Sequence, residues 1–241
     1  MTLLGFVGAG NMARALALGL GEPALFSDGG SGRAGVLAAE LGGEAVAANE
    51  LIVERAEVVV LAHKPAQLAQ VAPALAGART VLSLLGGVTV AEIEAAIPGA
   101  TVTRAMPNTA VALRKGVTCV CGAAGLDELL ARVGIVVRLP ERLMDAATAV
   151  SGVAPAYVAL IAEAWVDAAV GQGIPAAQAA QLVGASLTGA AALLEARGMD
   201  TLGVRREVTS PGGMTARGLR ALERAGLRSA FSDAAAAVAQ R

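Results

Sequence analysis

Two glycine-bearing stretches and two strand tips hold the residue types in this chain that could do chemistry. In GFVGAGNMARALALGL, Gly8, Gly10 and Ala13 form the pattern G-x-G-x-x-A between an apolar run and a helical pattern. The first glycine of such a pattern allows a tight turn, the second lets a pyrophosphate approach the backbone, and the small third residue lets helix pack on strand. The helix start adds unbonded amides and a partial positive charge. Asp28 follows about 20 residues after Gly8, at the end of the next apolar run, where a carboxylate can accept a hydrogen bond from a ribose hydroxyl. Asp28 alone favours NAD(H), whereas Ser27, Ser31 and Arg33 could hold the extra phosphate of NADP(H). FSDGGSGR also reads as a solvated loop in which Asp28 caps a helix, and both readings stand at this stage.

The second stretch, VTSPGGMTARGL (208–219), has no His, Cys or carboxylate. Pro211 fixes a backbone angle, Gly212 and Gly213 permit angles closed to other residues, and Thr215 is placed to cap a helix expected over 216–224. Successive amides at a helix start suit a carboxylate; a plain turn between helices is the alternative. VVVLAHKP ends in Ala62, His63, Lys64 and Pro65, and TVTRAMPNT ends in Met106, Pro107, Asn108 and Thr109. Ligands of open parallel sheets collect at such strand tips, although Lys64 also reads as an ordinary solvated lysine and Asn108 as a turn cap. His63 is the only histidine, with neither a nucleophile motif nor metal-ligand spacing around it. Cys119 and Cys121, two apart in GVTCVCG, fall on one face of a strand and read as core residues. No metal site is expected from one His and this pair.

These tips need a scaffold, and the patterning supplies one. Apolar runs at 3–7, 24–26, 58–62, 81–84, 102–104, 117–120 and 135–138 alternate with amphipathic segments such as 12–20, 35–41, 65–75 and 90–96. That alternation predicts a Rossmann-type α/β domain with a mostly parallel sheet, over residues 1–142. Beyond Glu141 strand signals stop, and 143–241 is Ala-rich and helical. Ala buries little area per turn, so this half is expected to complete its core against a second copy, as a homodimer. The net charge of −1, with no basic tract, argues against nucleic acid as a partner. Mean hydropathy is high at +0.62. The most apolar long run, 154–170, nevertheless carries Glu163 and Asp167, so no membrane span is expected. MTLLGFVGAG lacks a basic lead and a cleavage site, which predicts a cytoplasmic protein.

VTSPGGMTARGLRALE resembles the signature of the pyrroline-5-carboxylate reductases. The same order of motifs runs through nearly the whole chain: GFVGAGNMA, LAHKP, SLLGGVT, RAMPNT, LMDAATAVSGVAPAY and TSPGGMT. The resemblance implies an N-terminal Rossmann domain, a C-terminal helical dimerisation domain, and reduction of 1-pyrroline-5-carboxylate to L-proline, the last step of proline biosynthesis. NADP(H) is the implied cofactor, with NAD(H) the second candidate. Val7, Gly8, Ala9, Gly10, Asn11 and Met12 would hold the pyrophosphate, Asn49 with Ala62, His63, Lys64 and Pro65 would line the cofactor, and Ser27 with Asp28 would sit near its adenosine end. Ser210, Gly212, Gly213, Met214 and Thr215 would hold the substrate carboxylate and ring nitrogen. Asn108 would lie beside the nicotinamide. Thr215, whose hydroxyl can donate or accept, is the choice for contacting the ring nitrogen.

The chain departs from the family pattern in four places. Val153 and Ala154 stand in SGVAPAY where Ser-Gly is usual, Ala110 replaces a proline, His63 replaces a valine, and Asp200-Thr201 replaces a His-Pro pair. Rival readings are a reductase of another cyclic imine or small acid on the same fold, or a nicotinamide-binding regulatory protein without turnover. Hydroxyacid enzymes of this architecture generally use a lysine in the helix after the Rossmann domain, and 156–170 has none.

Overall fold

The computed structural model describes residues 2–239. The chain falls into two compact units, Met1–Pro155 and Ala156–Arg241.

The first unit is an eight-stranded sheet in the order β3-β2-β1-β4-β5-β6-β7-β8. Its strands are β1 (Leu4–Val7), β2 (Leu25–Ser27), β3 (Glu44–Ala45), β4 (Val58–Leu61), β5 (Thr80–Ser83), β6 (Thr101–Pro107), β7 (Gly116–Gly122) and β8 (Gly134–Arg138). Neighbours pair in parallel except β6 with β7, which are antiparallel. Every residue of β1 and β4 is buried, as expected where helices cover both faces of a parallel sheet. The helices are α1 (Asn11–Leu20), α2 (Arg33–Leu41), α3 (Asn49–Arg55), α4 (Leu68–Val71), α5 (Val90–Ala96), α6 (Asp127–Ala131) and α7 (Met144–Ala147). The helix expected over 65–75 is broken into α4 between two 3-10 turns, with Pro65 and Pro73 opening those turns. The sequence reading did not contain β3 or α3; two and seven residues are too few to establish a period.

Order reverses between β2 and β4, on either side of β1. The ends of β1 and β4 therefore form the switch point at which doubly wound sheets open a crevice. α1 shows how the chain is turned there: Gly10 caps its start, Gly21 in the left-handed region closes its end, and Ala13, Leu16, Ala17 and Leu20 bury one face at three- and four-residue spacing.

The compact units divide between Pro155 and Ala156, and residues 141–147 pack on the sheet. Met144 is fully buried against Cys119 and Cys121. Arg104, 3% exposed, forms ion pairs from β6 with Glu141 at 3.3 Å and Asp145 at 3.5 Å. The Glu141 carboxylate also accepts from the amide of Val90 at 2.8 Å. The two cysteines are free and buried.

The second unit holds most of α8 (Ala154–Gly171) and all of α9 (Ala176–Ala196), α10 (Thr201–Glu207), α11 (Met214–Arg224) and α12 (Leu227–Ala239). Its core is thin. No residue of α8 is buried, and only Ala179 and Val183 of α9 are. Val158, Leu160, Trp165, Leu182 and Phe231 all lie open. Glu141–Gly171 and Ala176–Ala196 are each long and apolar enough, by length and composition, to cross a membrane. Those two criteria do not separate a span from a helix that packs on another protein chain; Glu163 and Asp167 sit within the first stretch.

Candidate functional site

In the first unit the ends of β1 and β4 form a glycine-lined cradle. Gly8, at φ +108°, lies so close to the β4 tip that a methyl there would fall 2.6 Å from the Ala62 carbonyl carbon and the His63 nitrogen. Two backbone bonds hold this approach: the Gly8 amide donates to Ser27 O at 3.0 Å and the Ala62 amide to Val7 O at 2.9 Å. Gly10 differs. It caps α1 at φ −80°, ψ −177° with no side chain bonded to the helix start, and a methyl on it would meet no protein atom within 4 Å. The amides of Asn11, Met12 and Ala13 have no partner within the helix by its geometry, and the side of Gly10 where a side chain would stand is open. This fits an anion approaching the backbone.

A hollow of about 200 Å³ adjoins the cradle, and Gly8, Ser27, Asp28, Asn49 and His63 are among the residues lining it. Gln67, Gln70 and Val71 line it too, and sequence reasoning missed them because only the fold brings the turn after β4 to this wall. Asp28 takes the loop-organising role that the sequence left open. Its Oδ1 accepts from the amides of Gly30 (2.8 Å) and Ser31 (3.1 Å), and its Oδ2 from the Ser31 hydroxyl (2.9 Å) and the Ala34 amide (2.8 Å). These donors, the Ala34 amide foremost, hold its carboxyl below the usual carboxylate range. Ser27 is buried, and its hydroxyl lies 2.6 Å from Asn49 Oδ1. Of the three groups weighed for an extra phosphate, Ser27 and Ser31 are bonded within the protein, while Arg33 stands exposed at the first position of α2.

Lys64 is exposed, with its amide bonded to Gln67 Oε1 at 3.2 Å. Asn108, expected beside the nicotinamide, is 7% exposed. Its Oδ1 accepts from the Val117 amide at 3.3 Å and its Nδ2 donates to Ser151 O at 3.2 Å, so the side chain ties the end of β6 to β7 and to the turn at 148–152.

In the second unit the 208–215 loop leads into α11. Thr215 does not cap this helix, contrary to expectation: α11 begins at Met214, its cap is Gly213 at φ −68°, ψ 178°, and Thr215 is the second helical residue. The helix starts early because Gly213 lets Ser210 turn back beneath it. A methyl at Gly213 would lie 2.3 Å from Ser210 Oγ, and the Gly213 amide bonds to Ser210 O at 3.1 Å. Gly212, at φ +70°, makes the turn. No side chain bonds to the start of α11, leaving the amides of Met214, Thr215 and Ala216 without intrahelical partners. Ser210, Gly212, Met214 and Thr215 are all exposed. A separate hollow of about 500 Å³, lined mainly by α11 and α12 residues such as Leu219, Leu222, Leu227 and Phe231, includes none of the 208–215 residues.

Comparison with known proteins covers both units. A family model described as pyrroline-5-carboxylate reductase dimerisation matches residues 141–241, and one described as NADP oxidoreductase coenzyme F420-dependent matches residues 3–87. The pyrroline-5-carboxylate reductase of Synechocystis sp. is 39% identical over 196 residues, 77% of this chain and 73% of the relative. The solved structure of the Coxiella burnetii pyrroline-5-carboxylate reductase superposes with a TM-score of 0.88 at 30% identity, covering 100% of this chain and 97% of that one. That of the Plasmodium falciparum pyrroline carboxylate reductase, with NADP bound, gives 0.86 at 25% identity, covering 99% and 96%.

Proposed function

Because the chain belongs to the pyrroline-5-carboxylate reductase family, we propose that it reduces 1-pyrroline-5-carboxylate to L-proline with NADP(H), the cofactor held in the P. falciparum relative. When bound, the nicotinamide supplies hydride to the carbon of the protonated cyclic imine. The protein's part is to hold and orient. The α1 amides and Gly10 receive the pyrophosphate, and the turns at 28–33 and 62–65 flank the adenosine half. The α11 amides receive the substrate carboxylate, with Thr215 Oγ1 at the ring nitrogen. No nucleophile is required, which accounts for a substrate loop with Thr and no His, Cys or carboxylate. Binding and alignment supply the rate.

The observation that carries this reading is the pair of uncapped helix starts, each preceded by a glycine turn, that open α1 and α11. Asn108 enters as a positioning residue, since both ends of its amide are bonded within the protein. The exposed apolar faces of α8, α9 and α12, within the segment matched by the dimerisation family, support a homodimer. A cytoplasmic location follows from the reading as a soluble biosynthetic enzyme.

The test is NADPH oxidation over a panel of cyclic imines: 1-pyrroline-5-carboxylate, 1-pyrroline-2-carboxylate and the six-membered homologues. The reading requires the first to be turned over with the highest kcat/KM. Preference for another ring, or tight NADPH binding without oxidation, would replace it with one of its rivals.

A further inference from the structure

We infer that His63 Nε2 is a side-chain acceptor for a hydroxyl on the adenosine ribose of the bound dinucleotide, reached by a turn of the imidazole on binding. The inference rests on the dinucleotide reading of the first unit and adds a residue-specific contact to it.

His63 stands at the tip of β4, against Gly8, and lines the same hollow as Asp28 and Asn49. A ribose hydroxyl is a donor in search of an acceptor, and the carboxylate after β2 is where the pattern would look for one. That carboxylate is already saturated: both oxygens of Asp28 accept two bonds each from its own loop. Ser27 spends its hydroxyl proton on Asn49 Oδ1, which leaves Asn49 one acceptor lone pair and His63 the one ring acceptor in the lining. His63 is arranged the opposite way. Its Nδ1 lies 2.9 Å from Lys64 O. A carbonyl oxygen only accepts, so Nδ1 carries the proton and Nε2 presents a lone pair. Burial lowers the pKa of the ring and favours this neutral form.

Nε2 is shielded and has no hydrogen-bond partner. Native proteins rarely leave a buried acceptor so, because its lost hydration is not recovered. The half-buried ring forms part of the hollow's wall; bringing Nε2 to the surface takes a turn about the Cβ–Cγ bond that gives up the Nδ1 bond to Lys64 O in exchange for the bond to the ligand. Phosphates offer only acceptors to a neutral imidazole. The donors a dinucleotide brings are its ribose hydroxyls, the adenine amino group and the nicotinamide amide.

Because His63 is the only histidine in the sequence, untagged protein labelled with 15N-histidine gives a single imidazole spectrum. Adding NADPH, or adenosine 2′,5′-bisphosphate, is expected to move the Nε2 resonance in the direction of an accepted hydrogen bond while Nδ1 stays protonated. His63→Val should weaken both ligands by about fivefold to tenfold, and His63→Gln, which keeps an acceptor, should recover most of the loss. The hypoxanthine analogue of NADPH, lacking the adenine amino group, should show the same loss on His63→Val.

An unmoved Nε2 signal with unchanged affinity in both variants overturns the inference. A loss seen with NADPH but not with the bisphosphate would move His63 to the nicotinamide half and overturn it. A loss absent for the hypoxanthine analogue would assign the donor to adenine and overturn it. If the wild-type protein binds none of these nucleotides, the dinucleotide reading itself fails first.

Discussion

Gly10→Ala separates a glycine needed by the ligand from one needed by the fold. At φ −80° alanine adopts the same backbone, and its methyl meets no protein atom within 4 Å. Alanine is a poorer helix cap than glycine by roughly 0.5 kcal/mol, while stiffening of the unfolded chain returns about 0.4–1 kcal/mol. The two nearly cancel, so the Tm of the nucleotide-free protein should stay within about 3 °C of wild type. On the proposed reading the methyl occupies the space through which a pyrophosphate reaches the amides at the start of α1. Displacing one or two charge-assisted bonds, at about 1.5 kcal/mol each or more, should raise the Kd for NADPH roughly tenfold to a hundredfold. Gly8→Ala is the contrast: a methyl 2.6 Å from backbone atoms at φ +108° costs about 3 kcal/mol or more, which should lower Tm by at least about 6 °C. Fluorescence titration of NADPH with thermal unfolding of both variants decides the matter. Wild-type affinity in Gly10→Ala would refute the placing of the pyrophosphate over α1.

Thr215→Ala should reduce kcat/KM for pyrroline-5-carboxylate by about tenfold or more, and Thr215→Ser should keep most of it. Since Gly213 rather than Thr215 caps α11, the alanine variant should melt within about 2 °C of wild type; normal turnover in it would remove Thr215 from the site. Arg33→Ala should raise KM for NADPH more than for NADH, because Arg33 is exposed at the start of α2 while Ser27 and Ser31 are bonded elsewhere; equal effects would take Arg33 away from the phosphate. Sedimentation equilibrium at micromolar concentration should give a dimer or a multiple of one, and a monomer would leave the apolar faces of α8 and α9 unexplained.

What was legible in the sequence was what glycine and periodicity encode. The G-x-G-x-x-A turn, the parallel sheet and the helical second half all follow from residue spacing, and Ser-Pro-Gly-Gly correctly announced a helix start rich in free amides. What stayed hidden were side-chain commitments. Asp28 sits at the position where a ribose contact is expected, yet the Gly30 and Gly32 turns wrap the loop back so that its own amides reach the carboxylate first. Asn108 stands at a strand tip, but the antiparallel return of β7 brings the Val117 amide onto it. Thr215 looked like a cap because capping residues usually precede a helix; Gly213, with no side chain to meet Ser210, lets the helix begin two residues earlier. In each case the competing partner is distant in sequence or depends on a backbone angle that spacing does not reveal.

The central claim is hydride transfer to the imine carbon of 1-pyrroline-5-carboxylate, and isotope transfer measures it most directly. The enzyme is incubated with 1-pyrroline-5-carboxylate and each of the two NADPH preparations deuterated on one face of C4 of the nicotinamide, and the product is examined by mass spectrometry. One deuterium in L-proline, at ring C5 and from one of the two cofactor faces only, is the expected result. Unlabelled proline from both preparations, or labelled cofactor recovered unchanged beside unreacted imine, would contradict the account.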